Sequence, residues 1–162
     1  MMTTYDRSAM EEVTQWIYRE ARFQDEHRYD DWEALWTDDG LYWIPANGDG
    51  GDPERQMSIV YDNRSRIALR VRQLKTGKRH SQTPRSRLRR LISNVEILAQ
   101  SEGEIRVGAN ALVFESHIRG DTVWAARNEY VLRRVEGDLK LARKTVVLVN
   151  NETAMWSMAF LI

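Results

Sequence analysis

A chain of 162 residues and 19.0 kDa is the length that one hydrophobic core serves, and 42% apolar against 30% charged residues provides for a core and argues against disorder. The formal charge is zero, from 24 acids and 24 bases, and there is no cysteine, which excludes disulfides, thiolate metal sites, cysteine nucleophiles and an iron–sulfur cluster held by this chain. No window approaches the ~18 apolar residues of a membrane span and the first residues lack a basic-then-apolar signal pattern, so a cytoplasmic location without membrane contact is expected.

Along the chain, Ser8-Ala9-Met10-Glu11 fits a capping box and predicts a helix whose apolar face is Met10, Val13, Ile17 and Ala21, fading near His27. Asp30-Asp31 caps a short second helix with Trp32, Leu35 and Trp36, ended by Gly40. Leu41 to Ile44 reads as a strand stopped by Pro45. The glycine-rich loop from Ala46 to Pro53 lacks the Gly-Lys-Ser/Thr ending of a phosphate-binding loop. A short strand from Met57 to Tyr61 follows, then a third helix capped by Asn63 with Ile67, Val71 and Leu74 in phase, then a loop from Lys75 to Ser86.

The second half changes grammar. Gly103, Gly120 and Gly137 stand 17 residues apart, each beside an acid. They separate four β-rich runs: Leu88 to Ala99, Ile105 to Ile118, Thr122 to Val135 and Leu139 to Val149. A straight strand of fourteen residues spans roughly 45 Å, against a radius of gyration near 15 Å for a compact chain of this length. Such strands must twist and bend, with Gly108 a candidate bend. The expected fold class is α+β: a strongly curved antiparallel sheet covered by N-terminal helices, a cone of the NTF2-like shape. One domain is expected over residues 1–162, with helices and short strands over 1–86, the meander over 87–150 and an apolar tail over 151–162.

Charge is segregated. Residues 1–62 hold 15 acids and 5 bases, residues 63–95 hold 11 bases and no acid, and residues 96–162 hold 9 acids and 8 bases. The basic stretch reads as a solvated face neutralised by the same chain, as a subunit interface, or as a nucleic-acid surface. The last is disfavoured because no aromatic lies between Tyr61 and Phe114 and the pI is about 6.9. The three histidines, His27, His80 and His117, are 53 and 37 residues apart, which argues against a metal centre. Glu115 and His117 alternate on one strand face as a weak ligand pair. Asp25, His27 and Tyr42 near the helix-to-strand junction could form an acid–base pocket. The plainer reading makes Asp25 a cap or turn ligand and His27 an exposed polar residue.

Four blocks in order carry a resemblance: Arg19-Glu20-Ala21-Arg22 through Tyr42-Trp43-Ile44-Pro45; Ser58-Ile59-Val60-Tyr61-Asp62 with Arg70-Val71-Arg72; Ser86-Arg87 with Leu91-Ile92-Ser93-Asn94-Val95; and Arg143-Lys144-Thr145-Val146-Val147-Leu148 before the apolar Ala159-Phe160-Leu161-Ile162. The chain resembles the small (beta) subunits of aromatic-ring-hydroxylating dioxygenases. It departs at Arg90, where many members carry histidine, and at Trp156, in a tail usually less aromatic. The resemblance implies a non-catalytic structural subunit with no cofactor of its own. Its partner would be a catalytic alpha subunit carrying the Rieske [2Fe–2S] cluster and the mononuclear Fe(II), in an alpha3beta3 heterohexamer whose beta subunits form a trimer. Candidate subunit contacts are Arg79, Arg85, Arg87, Arg89, Arg90, Trp156 and Phe160. The alternative is a stand-alone NTF2-like isomerase, dehydratase or ligand-binding protein using Asp25, His27 and Tyr42.

Overall fold

The computed structural model describes residues 6–48, 51–77, 84–151 and 160–162. Among these residues three helices, α1 (Arg7–Asp25), α2 (Tyr29–Glu33) and α3 (Arg64–Lys75), accompany six strands: β1 (Trp36–Pro45), β2 (Ser58–Asp62), β3 (Arg87–Ser101), β4 (Glu104–His117), β5 (Gly120–Val135) and β6 (Asp138–Leu148). They form one sheet in the order β2-β1-β6-β5-β4-β3, antiparallel throughout except for the parallel β1–β6 pair.

The meander follows its turn chemistry. Gly103, Gly120 and Gly137 adopt positive φ, a conformation glycine reaches without the Cβ clash, and each strand ends where its glycine turns the chain. The register break lies beside Gly108, with the extra residue on β3 opposite Ala109 of β4. The β4–β5 register runs unbroken past Gly108, whereas β3 slips against β4 between Ser93 and Glu96 and again between Ile97 and Ala99. Asn94 takes a φ of 55° at the first slip. Extra residues on one strand of a pair curl it away from flatness, which gives the sheet its concave face.

Two early boundaries are corrected. Helix α1 is capped by Asp6, whose carboxylate accepts from the N–H groups of Ser8 and Ala9 at 3.1 Å, two residues earlier than the expected serine cap. Helix α2 stops at Glu33, and β1 already begins at Trp36. Gly40 therefore sits inside a strand, where the Trp36 ring occupies the space a Cβ would need.

Helix α1 lies in the concavity with Val13, Trp16 and Ile17 in the core, and Trp16 donates its indole N–H to the Leu139 carbonyl at 3.0 Å. The inward phase of the strands supplies Val107, Ala109, Val113, Tyr130, Leu132, Leu141, Val146 and Leu148. Trp32, Trp36 and Tyr42 contact one another with ring centroids 5.5–5.9 Å apart. Phe160, Leu161 and Ile162 are also buried in this core.

Candidate functional site

The cone interior holds the first set of polar groups. Glu20 follows Val13, Trp16 and Ile17 on the buried face of α1, and Lys144 occupies an inward position of β6. Their side chains are 1% exposed and meet at 2.8 Å. The same Glu20 oxygen accepts the Trp32 indole N–H at 2.8 Å. Burial lowers the Lys144 pKa while the Glu20 carboxylate opposes that shift. Tyr42 donates its hydroxyl to the main-chain oxygen of Ile162 at 2.5 Å and accepts the Ile162 N–H at 3.1 Å. Burial pushes the pKa of both Tyr42 and Tyr130 far up.

A second set ties the end of α1 to the sheet. The Arg90 guanidinium donates to Asp25 at 2.6 Å, to Gln24 at 2.8 Å and to the Leu161 carbonyl at 3.1 Å, and the Arg90 N–H reaches the other Asp25 oxygen at 3.0 Å. A charged pair this buried is tolerated because each group finds several partners.

His27 belongs to a third set. Its Nε2–H faces the Ser86 carbonyl at 2.8 Å, so Nδ1 accepts the Tyr29 hydroxyl at 3.0 Å. Burial lowers its pKa, with the Ser86 carbonyl opposing and the Arg85 charge reinforcing that shift. Ser86 in turn donates to Glu115 at 2.6 Å, and Glu115 accepts the Trp124 indole N–H at 3.2 Å.

Asp25, His27 and Tyr42 thus lie in three separate hydrogen-bond sets rather than around one open pocket. Both Asp25 oxygens are taken by Arg90, and the Tyr42 hydroxyl is closed in by Ile162. A base must reach the proton it takes, and the three groups are held apart by these separate partners. Trp32, Trp36 and Tyr42 fill the interior. Glu115 is committed to Ser86 and Trp124, and His117 Nδ1 accepts the Arg119 N–H. Among the described residues, no three of His, Cys, Asp and Glu gather as metal ligands, and no helix is long and apolar enough to cross a membrane.

The candidate contact residues divide. Arg90 is buried within the chain, and Phe160 packs edge-on against Trp124 at 5.7 Å, so neither is presented at the surface. Arg85 is exposed, with its guanidinium 5.6 Å from the Tyr29 ring centroid. Arg87 and Arg89 point outward from β3, in the opposite phase to buried Leu88 and Arg90. Arg79 and Trp156, with most of the expected tail, lie outside the described residues. Glu20 and Lys144 were missed by the sequence reading, yet each is a charge standing at an apolar phase of its element. A groove of about 930 Å³ opens between α1 and the free edge of β3, bordered by Asp6, Met10, Thr14, Tyr18 and residues 92–100. No charged cluster lines it for chemistry.

Comparison with known proteins agrees with this geometry. The small oxygenase component of the p-cumate 2,3-dioxygenase system of Pseudomonas putida is 32% identical over 139 residues, covering 85% of this chain and 77% of that protein. The beta subunit of the Burkholderia mallei benzoate 1,2-dioxygenase superposes with a TM-score of 0.78 at 23% identity, covering 99% of this chain and all of that one. An NTF2-like protein with a cystatin-like fold from Novosphingobium aromaticivorans gives a TM-score of 0.60 at 15% identity, covering 86% of this chain and 81% of that one. The family model described as ring hydroxylating beta subunit matches residues 19–154, so a curved sheet closed over its own polar groups belongs here to the ring-hydroxylating dioxygenase beta-subunit family.

Proposed function

We propose that this chain is a structural subunit that holds large catalytic subunits in place and performs no chemistry itself. The observation that carries the reading is the interior of the cone, where Glu20 is paired with Lys144, Asp25 with Arg90 and Tyr42 with Ile162 within the chain itself. In this reading the whole chain works as one domain in the cytoplasm, as three copies in an alpha3beta3 assembly. The partner alpha subunit would carry the Rieske cluster and the mononuclear iron, electrons would reach it from a ferredoxin or reductase, and an aromatic compound would be oxidised there with dioxygen. The p-cumate relative is a dioxygenase component, which supports that substrate class.

Co-expression with a Rieske-type large subunit from the same genome tests this. The two chains should co-purify, the complex should contain iron and consume dioxygen with an arene, and the isolated chain should contain no iron and turn nothing over. Stoichiometric iron or arene oxidation by the isolated chain would overturn it. Asp25→Asn and Tyr42→Phe should alter activity of the complex only as far as they alter its thermal stability. Turnover of a small molecule by the isolated chain, lost in these variants without unfolding, would restore the alternative.

A further inference from the structure

The turn after β1 is held by a side chain from the other end of the sequence. Asn151, three residues past the end of β6 and 8% exposed, lays its amide along the main chain of Gly48. Its Oδ1 accepts the Gly48 N–H at 3.1 Å, and its Nδ2 donates to the Gly48 carbonyl at 2.5 Å and to the Pro45 carbonyl at 3.3 Å. One buried amide thus satisfies main-chain groups that a neighbouring strand would satisfy in a sheet.

The residue before this clamped glycine is Asn47. Of the seven asparagines in the chain, only Asn47 is followed by glycine. Asparagine is thermolabile because the next main-chain nitrogen can close on its side-chain carbonyl carbon. A Cβ on the following residue obstructs that approach, and glycine has none. Asn47 is exposed, Gly48 takes a φ of 63°, and the Asn47 amide makes no hydrogen bond among the described residues. The others are poorer candidates: Asn63 uses its side chain to cap α3, Asn110 and Asn128 lie in paired strands, and Asn94 precedes the branched Val95.

The reaction needs no metal, cofactor or oxidant. The Gly48 nitrogen loses its proton to solvent base and bonds to Cγ of Asn47, the side-chain nitrogen leaves as ammonia, and a cyclic succinimide remains. Water then opens either ring carbonyl, giving aspartate or, with the main chain rerouted through the side chain, isoaspartate. The balance is water in and ammonia out. Its first step uses the N–H that Asn151 holds, so clamp and reaction compete for one group.

We propose that Asn47 is a self-modification site, converting spontaneously to aspartate and isoaspartate, and that Asn151 sets the rate by holding the Gly48 N–H. Conversion is slow beside local opening, so its rate follows the population in which the clamp is open. The isoaspartyl product carries an extra main-chain carbon before Gly48 and no longer offers that glycine to Asn151 in the same register, so the modified turn stays unclamped. This inference stands apart from the structural-subunit reading.

The test holds the full chain in warm, mildly alkaline buffer, folded and in urea, while peptide mapping follows replacement of the side-chain NH2 by OH at each asparagine. Asn47 should convert first in both states, and more slowly in the folded chain. Asn151→Ala should speed conversion of the folded chain about tenfold, the scale of one or two net hydrogen bonds in an opening equilibrium, and leave the rate in urea unchanged. Equal folded rates for wild type and Asn151→Ala, or another asparagine converting ahead of Asn47, overturn the inference. If Asn151→Ala does not fold, the wild type decides alone, and equal rates folded and in urea overturn it. The purified isoaspartyl chain should melt below the Asn47→Asp variant, which has the same charge on an unlengthened main chain; equal melting overturns the link between modification and clamp.

Discussion

Glu20 and Lys144 show what one residue can contribute and cost in this core. Removing a single partner strands a buried charge, so Lys144→Met should destabilise the chain by about 3–5 kcal/mol, whereas replacing both as Glu20→Leu/Lys144→Met should be close to neutral or stabilising. Urea unfolding midpoints of the two variants separate these outcomes. His27 makes a pH-dependent contribution. Its folded pKa lies below the ordinary 6.5 because burial disfavours the cation, so the unfolded chain binds the proton more readily. The stabilisation is complete above pH 6.5 and is lost as pH falls through the folded value. A series of thermal midpoints should fall below pH 6.5, and His27→Gln should flatten that fall. Residue identity was readable where it kept phase with its element, as Val13 and Ile17 do. It was unreadable where the decisive fact is a partner more than a hundred positions away, as with Lys144 and Glu20 or Tyr42 and Ile162.

At the scale of elements, the meander was legible because turns are local: Gly103, Gly120 and Gly137 require the positive φ they adopt, and the strands between them alternate inward and outward. The start of β1 was illegible because glycine ordinarily ends helices, while here Gly40 serves close packing. A Cβ at that position would lie 2.6 Å from the Trp36 ring and 3.2 Å from the Thr37 carbonyl. Neither neighbour can yield easily, since the ring is wedged against Trp32 and Tyr42. Gly40→Ala should therefore cost about 1–3 kcal/mol, the range for overpacking a filled core, and lower the thermal midpoint. A midpoint within error of wild type would mean that β1 shifts to make room. The slip in β3 was only half legible: Gly108 marks its place on β4, but Asn94, which tolerates a left-handed backbone, gives no sign that β4 will pass it without a matching residue.

For the whole molecule, the last described residues matter as much as any strand. Phe160, Leu161 and Ile162 are 6%, 2% and 1% exposed, and they join Trp124, Arg90 and Tyr42, three parts of the sheet. Burying each such side chain contributes about 1.5–3 kcal/mol. Deleting residues 160–162 should lower stability by several kcal/mol and broaden the urea transition, whereas Val149→Ser on the outer face should leave the isolated fold unchanged. The parallel pairing of β1 with β6 has a different consequence. A strand made within the first 45 residues has no mate on that side until residue 138 onward has been synthesised. Trp36 and Tyr42, with Trp32 beside them, must spend most of translation uncovered, and a greasy nascent segment waiting on so distant a mate invites clumping or a holding chaperone. Yield from a cell should then respond to ribosome pace and chaperone supply more sharply than the equilibrium strength of the finished cone would suggest.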